Sequence, residues 1–295
     1  MRVTQFISLI IKLALAVALT VGFAGILAAQ TNLAKGERKA GNYQFCSSDN
    51  AGWDNDRVSV HDLRESTVAA TGSLNVDGGR NGGVRVTGEN RSDVLVRACV
   101  QTWDKSEESA RAALANVKIS TASTIRAEGG DGSNYSVSYE IRVPRSTDLS
   151  LKAHNGGISI AGVEGRLEFE TTNGGVSLSD IAGDVEGRTT NGGVNVALSG
   201  NSWKGTGLDV QTSNGGVRLE IPENYAANIE TGTTNGGFRS NIAALNIALE
   251  DRKGPDSYSR GTRLNTVING GGAPIRVITT NGGVQINSTE RSKAN

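Results

Sequence analysis

Glu168, Glu186, Asp209 and Glu230 each stand five residues before the Asn of an Asn-Gly-Gly triplet. Carboxylates recurring at a fixed place can do one of three things. They can bind a divalent cation or a basic partner. They can work as an acid and a base on a glycosidic bond, which needs a cleft and a separation of roughly 5–9.5 Å. Or they can simply be solvated, with arginines offsetting the repulsion that like charges feel on paired strands. Arg188, Arg218 and Arg239 are expected to supply that offset, so the acidic column is a candidate metal site only as a speculative alternative.

Other reactive side chains are few. Nucleophilic catalysis needs a base beside the nucleophile, and the two imidazoles are His61, next to Asp62, and His154, next to Asn155. Each reads as an ordinary surface histidine. A zinc site would need more ligands than two His and two Cys without a CxxC spacing can offer. Trp203, in "SGNSWKGTG", is a candidate glycan contact because a loop Trp can stack on a sugar ring, although folding over the core edge is the expected outcome. No catalytic residue, metal or cofactor is assigned.

These side chains must be held by the repeat around them. Asn-Gly-Gly occurs at Asn81, Asn155, Asn173, Asn191, Asn214, Asn235, Asn269 and Asn281, and the spacings from Asn155 to Asn235 are 18, 18, 23 and 21. A period near twenty indicates a solenoid or an array. Before the triplets at Asn173, Asn191, Asn214, Asn235 and Asn281, apolar or small residues alternate, as in Leu167, Phe169, Thr171 and Val185, Gly187, Thr189. After it come Val176 and Leu178, then Val194 and Val196. Alternation by two means a strand on either side of the turn. Neither strand can bury a face alone, so coils of about 18–23 residues are expected to stack ~4.8 Å apart as a β-solenoid flattened to two sheets. Its structural turns are Asn155, Asn173, Asn191, Asn214, Asn235 and Asn281. Gly is expected there for a positive φ, and the Asn and the inward Thr for ladders of like residues. The 46 residues from Asn235 to Asn281 span two periods, so one coil has lost its signature or carries a loop over Asp251–Arg263.

Residues 1–29 read as a secretory signal, with Arg2 and Lys12 ahead of an apolar run and small residues at the cut. If uncleaved, the segment would be the chain's one membrane attachment. Removing Arg2 and Lys12 from 30 basic side chains leaves 28 against 30 acidic ones, a balance that offers nucleic acid no electrostatic footprint. In an oxidising compartment Cys46 and Cys99 are expected to pair. Residues 30–145 read as a capping region of strands and one helix, opened by a capping box of Asp104 and Glu107, with Ala110, Ala113, Leu114 and Val117 on one face. This region is expected to cover the end of the solenoid, residues 146–290, because an open sheet edge would aggregate.

The repeated "TTNGGV", "SYEIRVPRSTDLSLKAHNGGISI" from Ser138 to Ile160 and "GGAPIRVITTNGG" from Gly271 to Gly283 resemble a family of exported bacterial adhesin-like β-helix proteins, domain of unknown function 4097. The resemblance implies a right-handed single-stranded β-helix, export to the periplasm or cell surface, and adhesion. Together these readings lead to a non-catalytic envelope protein that meets a surface glycan or an envelope protein. A carbohydrate-active β-helix enzyme and an accessory of envelope-stress signalling are the alternatives.

Overall fold

Strands dominate because alternation dominates. A computed structural model describes residues 45–46, 57–129, 134–242, 245 and 261–289. The expected signal lies outside the described residues, as does nearly all of the Asp251–Arg263 loop. The chain divides after Phe45, and every element below belongs to the unit from Cys46 onward.

Before the regular repeat come β1 (Val58–Ala69), β2 (Ser73–Asp77), β3 (Val84–Glu89), β4 (Asp93–Asp104), helix α1 (Glu107–Asn116), β5 (Lys118–Ser120), β6 (Ile125–Glu128) and β7 (Tyr135–Pro144). Strand pairs joined by Asn-Gly-Gly follow: β8 (Asp148–Ala153) with β9 (Ile158–Ala161), β10 (Glu164–Thr171) with β11 (Val176–Ser179), β12 (Ala182–Asn191) with β13 (Val194–Ala197), and β14 (Gly207–Asn214) with β15 (Val217–Ile221). Last are β16 (Ala227–Asn235) with β17 (Phe238–Ser240), the lone β18 (Thr262–Ile268), and β19 (Pro274–Asn281) with β20 (Val284–Ser288).

The first strand of each pair enters one ten-stranded sheet, ordered β18-β16-β19-β14-β12-β10-β8-β2-β6-β5, and the second enters another, ordered β1-β4-β7-β3-β9-β11-β13-β15-β20-β17. Within the repeat the pairing is parallel and in register, so Leu167 faces Val185 and Val185 faces Leu208. The inward residues of both sheets share one hydrophobic core. Parallel pairing already begins at Ser73, inside the expected capping region, because β2 and β3 pair with β8 and β9 around the turn at Asn81.

The 46-residue interval holds one added strand, β18, and most of the expected loop lies outside the described residues. β16 does not pair with β14. The chain runs on into β18, antiparallel to β16, then returns so that β19 lies between β14 and β16 and β20 lies between β15 and β17. The last pair in sequence is therefore internal, and Ile275, Val277 and Ile286 are fully buried there. Asn269 leaves the repeat. It takes φ 48° in the connection after β18, and its amide donates to the carbonyls of Glu223 and Tyr225.

The helix begins one residue pair later than the expected box. Ser106 is its N-cap, accepting from the amide of Ser109, while Asp104 accepts from the amide of Lys105. On the core side of β4, Thr102 donates to the carbonyl of Ala110. On the same side of β1, Arg64 donates to the carbonyls of Leu114 and Val117 at the helix C-terminus, where its charge also suits the dipole. The helix thus covers the core side of β1 and β4, where a strand of the other sheet would otherwise be needed.

At the turns, Asn and Gly serve purposes that the backbone conformation alone does not explain. The amide Nδ2 of Asn155 donates to Oδ1 of Asn81, and the chain continues through Asn173, Asn191, Asn214, Asn281 and Asn235, each bond 2.7–3.0 Å long. None of these Asn residues has positive φ, and neither do Gly174, Gly192 or Gly215. Gly192 is required by close approach instead: a Cβ on it would sit 2.1 Å from the carbonyl oxygen of Gly174 in the neighbouring pair. The inward threonines stack in register, but Thr171, Thr189, Thr212 and Thr279 each donate to a Gly carbonyl rather than to another Thr, whereas the buried hydroxyl of Thr233 finds no partner among the described residues. Asn191→Ala removes one bond given and one received. It is expected to cost about 1–2 kcal/mol, read from urea unfolding.

Candidate functional site

Three surfaces inherit the side chains singled out from the sequence. The first is the outer face of the sheet that carries β10, β12 and β14. Glu168 faces Glu186 and Glu186 faces Asp209, as the column requires. Asp209 then faces Arg276, and Arg276 faces Glu230, because β19 is interposed. The column is therefore three carboxylates, an arginine and a fourth carboxylate. Arg276 is bonded to Asp209 at 2.8 and 3.0 Å and lies 3.5 Å from Glu230.

The offsetting charges differ from those expected. Arg188 pairs with Glu170 at 3.1 Å, and that carboxylate raises its pKa first, with Glu186 adding a smaller effect. Arg166 pairs with Glu168 at 2.7 Å. Arg218 and Arg239 lie on β15 and β17 in the other sheet and cannot reach the column. Both facts were present in the sequence: Arg276 stands five residues before Asn281, and Arg218 and Arg239 follow their triplets whereas the carboxylates precede theirs. A shallow depression of about 330 Å³ lies beside Lys152, Glu170, Glu186 and Arg188. Among the described residues no three acidic, His or Cys side chains converge as a metal site needs. Arg276→Gln leaves Asp209 and Glu230 without their shared cation; since all three are partly exposed, the loss is expected to be about 0.5–1 kcal/mol and to shrink in 1 M salt, by chemical denaturation at two ionic strengths.

The second surface is the edge opposite the Asn ladder. Trp203 is 7% exposed and its indole N–H donates to the carbonyl of Gly183 at 2.9 Å, so no ring face is open to a sugar. Beside it lies a cleft of about 640 Å³ bordered by Arg145, Asp180, Lys204 and Tyr225. Asp180 takes φ 49° and is held by Ser199 at 2.9 Å and Arg145 at 3.4 Å. Burial pushes the Tyr225 phenol up to about 12, which keeps it neutral. His154 sits exposed at the turn before Asn155, and His61 and Asp62 are consecutive on β1. Consecutive strand residues point to opposite faces, and Asp62 is engaged by Arg64 at 3.0 Å. The two cannot form a dyad.

The third surface is the outer face of the other sheet. One row of partners crosses all ten strands: Glu65, Arg97, Glu140, Arg85, Ser159, Ser177, Asn195, Arg218, Gln285 and Arg239. Its first part is ion-paired. Arg97 joins Glu65 and Glu140, and Arg142 in the adjoining row lies 3.2 Å from Glu89. Cys99 is on this face of β4 and is bonded to Cys46, with the two Cα atoms 5.2 Å apart. The last part of the row carries exposed Asn195, Arg218, Gln285 and Arg239. No helix among the described residues is long and apolar enough to cross a membrane.

The sequence pattern of the Toastrack DUF4097 family matches residues 104–287. Among solved structures the chain is similar to a candidate cell-adhesion protein from Clostridium sporogenes, with 11% identity and a TM-score of 0.38 over 78% of this chain and 100% of the other. It is also similar to a candidate adhesin from Bacteroides fragilis, with 11% identity and a TM-score of 0.37 over 78% and 97%. A candidate lipid-binding protein from Parabacteroides distasonis shares 10% identity at a TM-score of 0.28 over 78% and 96%. No curated protein matches.

Proposed function

Because the chain belongs to the Toastrack DUF4097 family, we propose that it is an exported, non-catalytic, adhesin-like envelope protein whose repeats form a right-handed β-solenoid and whose outer faces recognise a surface glycan or an envelope protein. One observation carries the reading. The polar groups of the repeated motif are spent on the scaffold itself, the Asn amides on one another and most of the Thr hydroxyls on Gly carbonyls, and what remains outside is regular rows of polar side chains. Rows at strand spacing suit recognition of an extended partner more than chemistry at one atom. The Cys46–Cys99 bond and the apolar N-terminal segment support export into an oxidising compartment. The proposal keeps a signal at 1–29, a capping region at 30–145 and a solenoid over 146–290, with β2 and β3 of the capping region in parallel register with its first strand pair.

The test is retention of glycans on an array and of envelope proteins in a pull-down, using the secreted chain. Binding of either without turnover is the expected result. Cleavage of a bound glycan, or retention of nothing from either source, overturns the reading.

A further inference from the structure

We propose that the outer face formed by β13, β15, β20 and β17 binds an acidic polysaccharide, with Arg218 and Arg239 engaging its anionic groups; this rests on the adhesin-like reading and names the partner of one face. Elsewhere on the two sheets Arg97, Arg142, Arg166, Arg188 and Arg276 each have a carboxylate within 4 Å. Arg218 and Arg239 are exposed and have none among the described residues. Glu220, two residues along β15 on the same face, lies beyond ion-pair distance of Arg218. Gln285 sits between the two arginines in register, which places the guanidinium stems two strand spacings, roughly 10 Å, apart. Asn195 continues the row on β13.

A groove of about 480 Å³ runs beside this row, floored by the backbone of Gly193, Gly216, Gly283 and Gly237. Packing does not demand bare positions there. A Cβ on Gly193 or Gly216 would make an ordinary 3.4 Å contact, and one on Gly237 would touch nothing within 4 Å. The groove holds no aromatic ring, so sugar stacking cannot supply its affinity. Its chemistry is planar guanidinium forks, which match carboxylates bidentately, flanked by carboxamides suited to hydroxyls. A chain of sugars bearing carboxylates meets both requirements.

The experiment measures binding of polygalacturonate and of neutral dextran to the secreted chain and its variants. The expected result is binding of polygalacturonate, none of dextran, and at least a tenfold loss in Arg218→Gln/Arg239→Gln. Gly216→Gln/Gly283→Gln, which keeps both arginines but fills the groove, is expected to lose as much, while Arg188→Gln on the opposite sheet loses nothing. Thermal unfolding of each variant confirms that the fold is kept. Unchanged binding in either double variant, or no binding of polygalacturonate, overturns the groove assignment. If polygalacturonate does not bind while a neutral glycan or an envelope protein is retained equally by the double variants, the groove assignment fails and the adhesin-like reading stands, whereas cleavage of polygalacturonate overturns that reading.

Discussion

Gly192→Ala is expected to lower the unfolding free energy by about 3 kcal/mol, whereas Gly193→Ala, one residue on, stays within about 0.5 kcal/mol of the parent. The two differ in what a methyl group would meet. At Gly192 it would lie 2.1 Å from the Gly174 carbonyl oxygen and 2.4 Å from its carbon, both backbone atoms that cannot step aside. Relief requires the neighbouring pair to move away, which stretches the bonds of Asn191 to Asn173 and of Thr189 to Gly174. At Gly193 the nearest atom is 3.4 Å away. Gly174 and Gly215 should follow Gly192, because their added Cβ atoms would stand 2.1 and 2.0 Å from the next glycine carbonyl. Urea denaturation of the matched pair decides it. Equal losses at both positions would mean that the turn conformation, and not the stacking distance, demands glycine.

Phe169→Ala is expected to cost about 3–5 kcal/mol, and Gly187 explains why the site is specific. Their strand positions face each other, and a Cβ on Gly187 would penetrate the Phe169 ring at 2.0 Å. One column of the core thus runs Leu151, Phe169, Gly187, Val210 and Val277, a large residue taking the volume that its neighbour gives up. Gly187→Val alone is expected to be about as damaging as an overpacked core, ~1–3 kcal/mol. The double variant Phe169→Val/Gly187→Val restores two medium residues, as in the neighbouring strands. It should be more stable than the sum of the Phe169→Val and Gly187→Val losses implies, a coupling that a double-mutant cycle on these two substitutions measures directly. Simple additivity of the two losses would refute the exchange of volume.

Most strands are legible in the sequence, and so are their inward faces. Leu167, Phe169 and Thr171, or Val217 and Leu219, are buried as alternation requires, because a period of two leaves one face no alternative but the core. The acidic column could be read only in part. Distance from the triplet Asn places its members correctly along a strand, but Arg276 stands at the same distance from Asn281, and only the stacking order sets it between Asp209 and Glu230. The helix was legible by its apolar face, whereas the cap moved from Asp104 to Ser106 because both residue types can cap and only geometry chooses between them. Trp203 needed the fold to show that its N–H had a carbonyl to reach, at Gly183.

The deepest division concerns neighbours. Composition, alternation and the repeated triplet were enough to determine that this chain makes short strands, that a turn of Asn-Gly-Gly joins them in pairs, and that the pairs must stack to bury their faces. These are local properties, set within about twenty residues. Which pair stacks on which is not local. Every triplet offers the same Asn amide, the same Gly carbonyl and nearly the same inward Thr, so Asn281 can bridge Asn214 and Asn235 as well as any other copy could. Tertiary structure alone placed β19 and β20 inside the stack and gave β16 the antiparallel β18 as its other neighbour. With that choice it also broke the carboxylate column with Arg276 and set Gln285 between Arg218 and Arg239 on the opposite face. Repeats that are interchangeable at their turns encode a stack without encoding its order, and the order decides which charges meet.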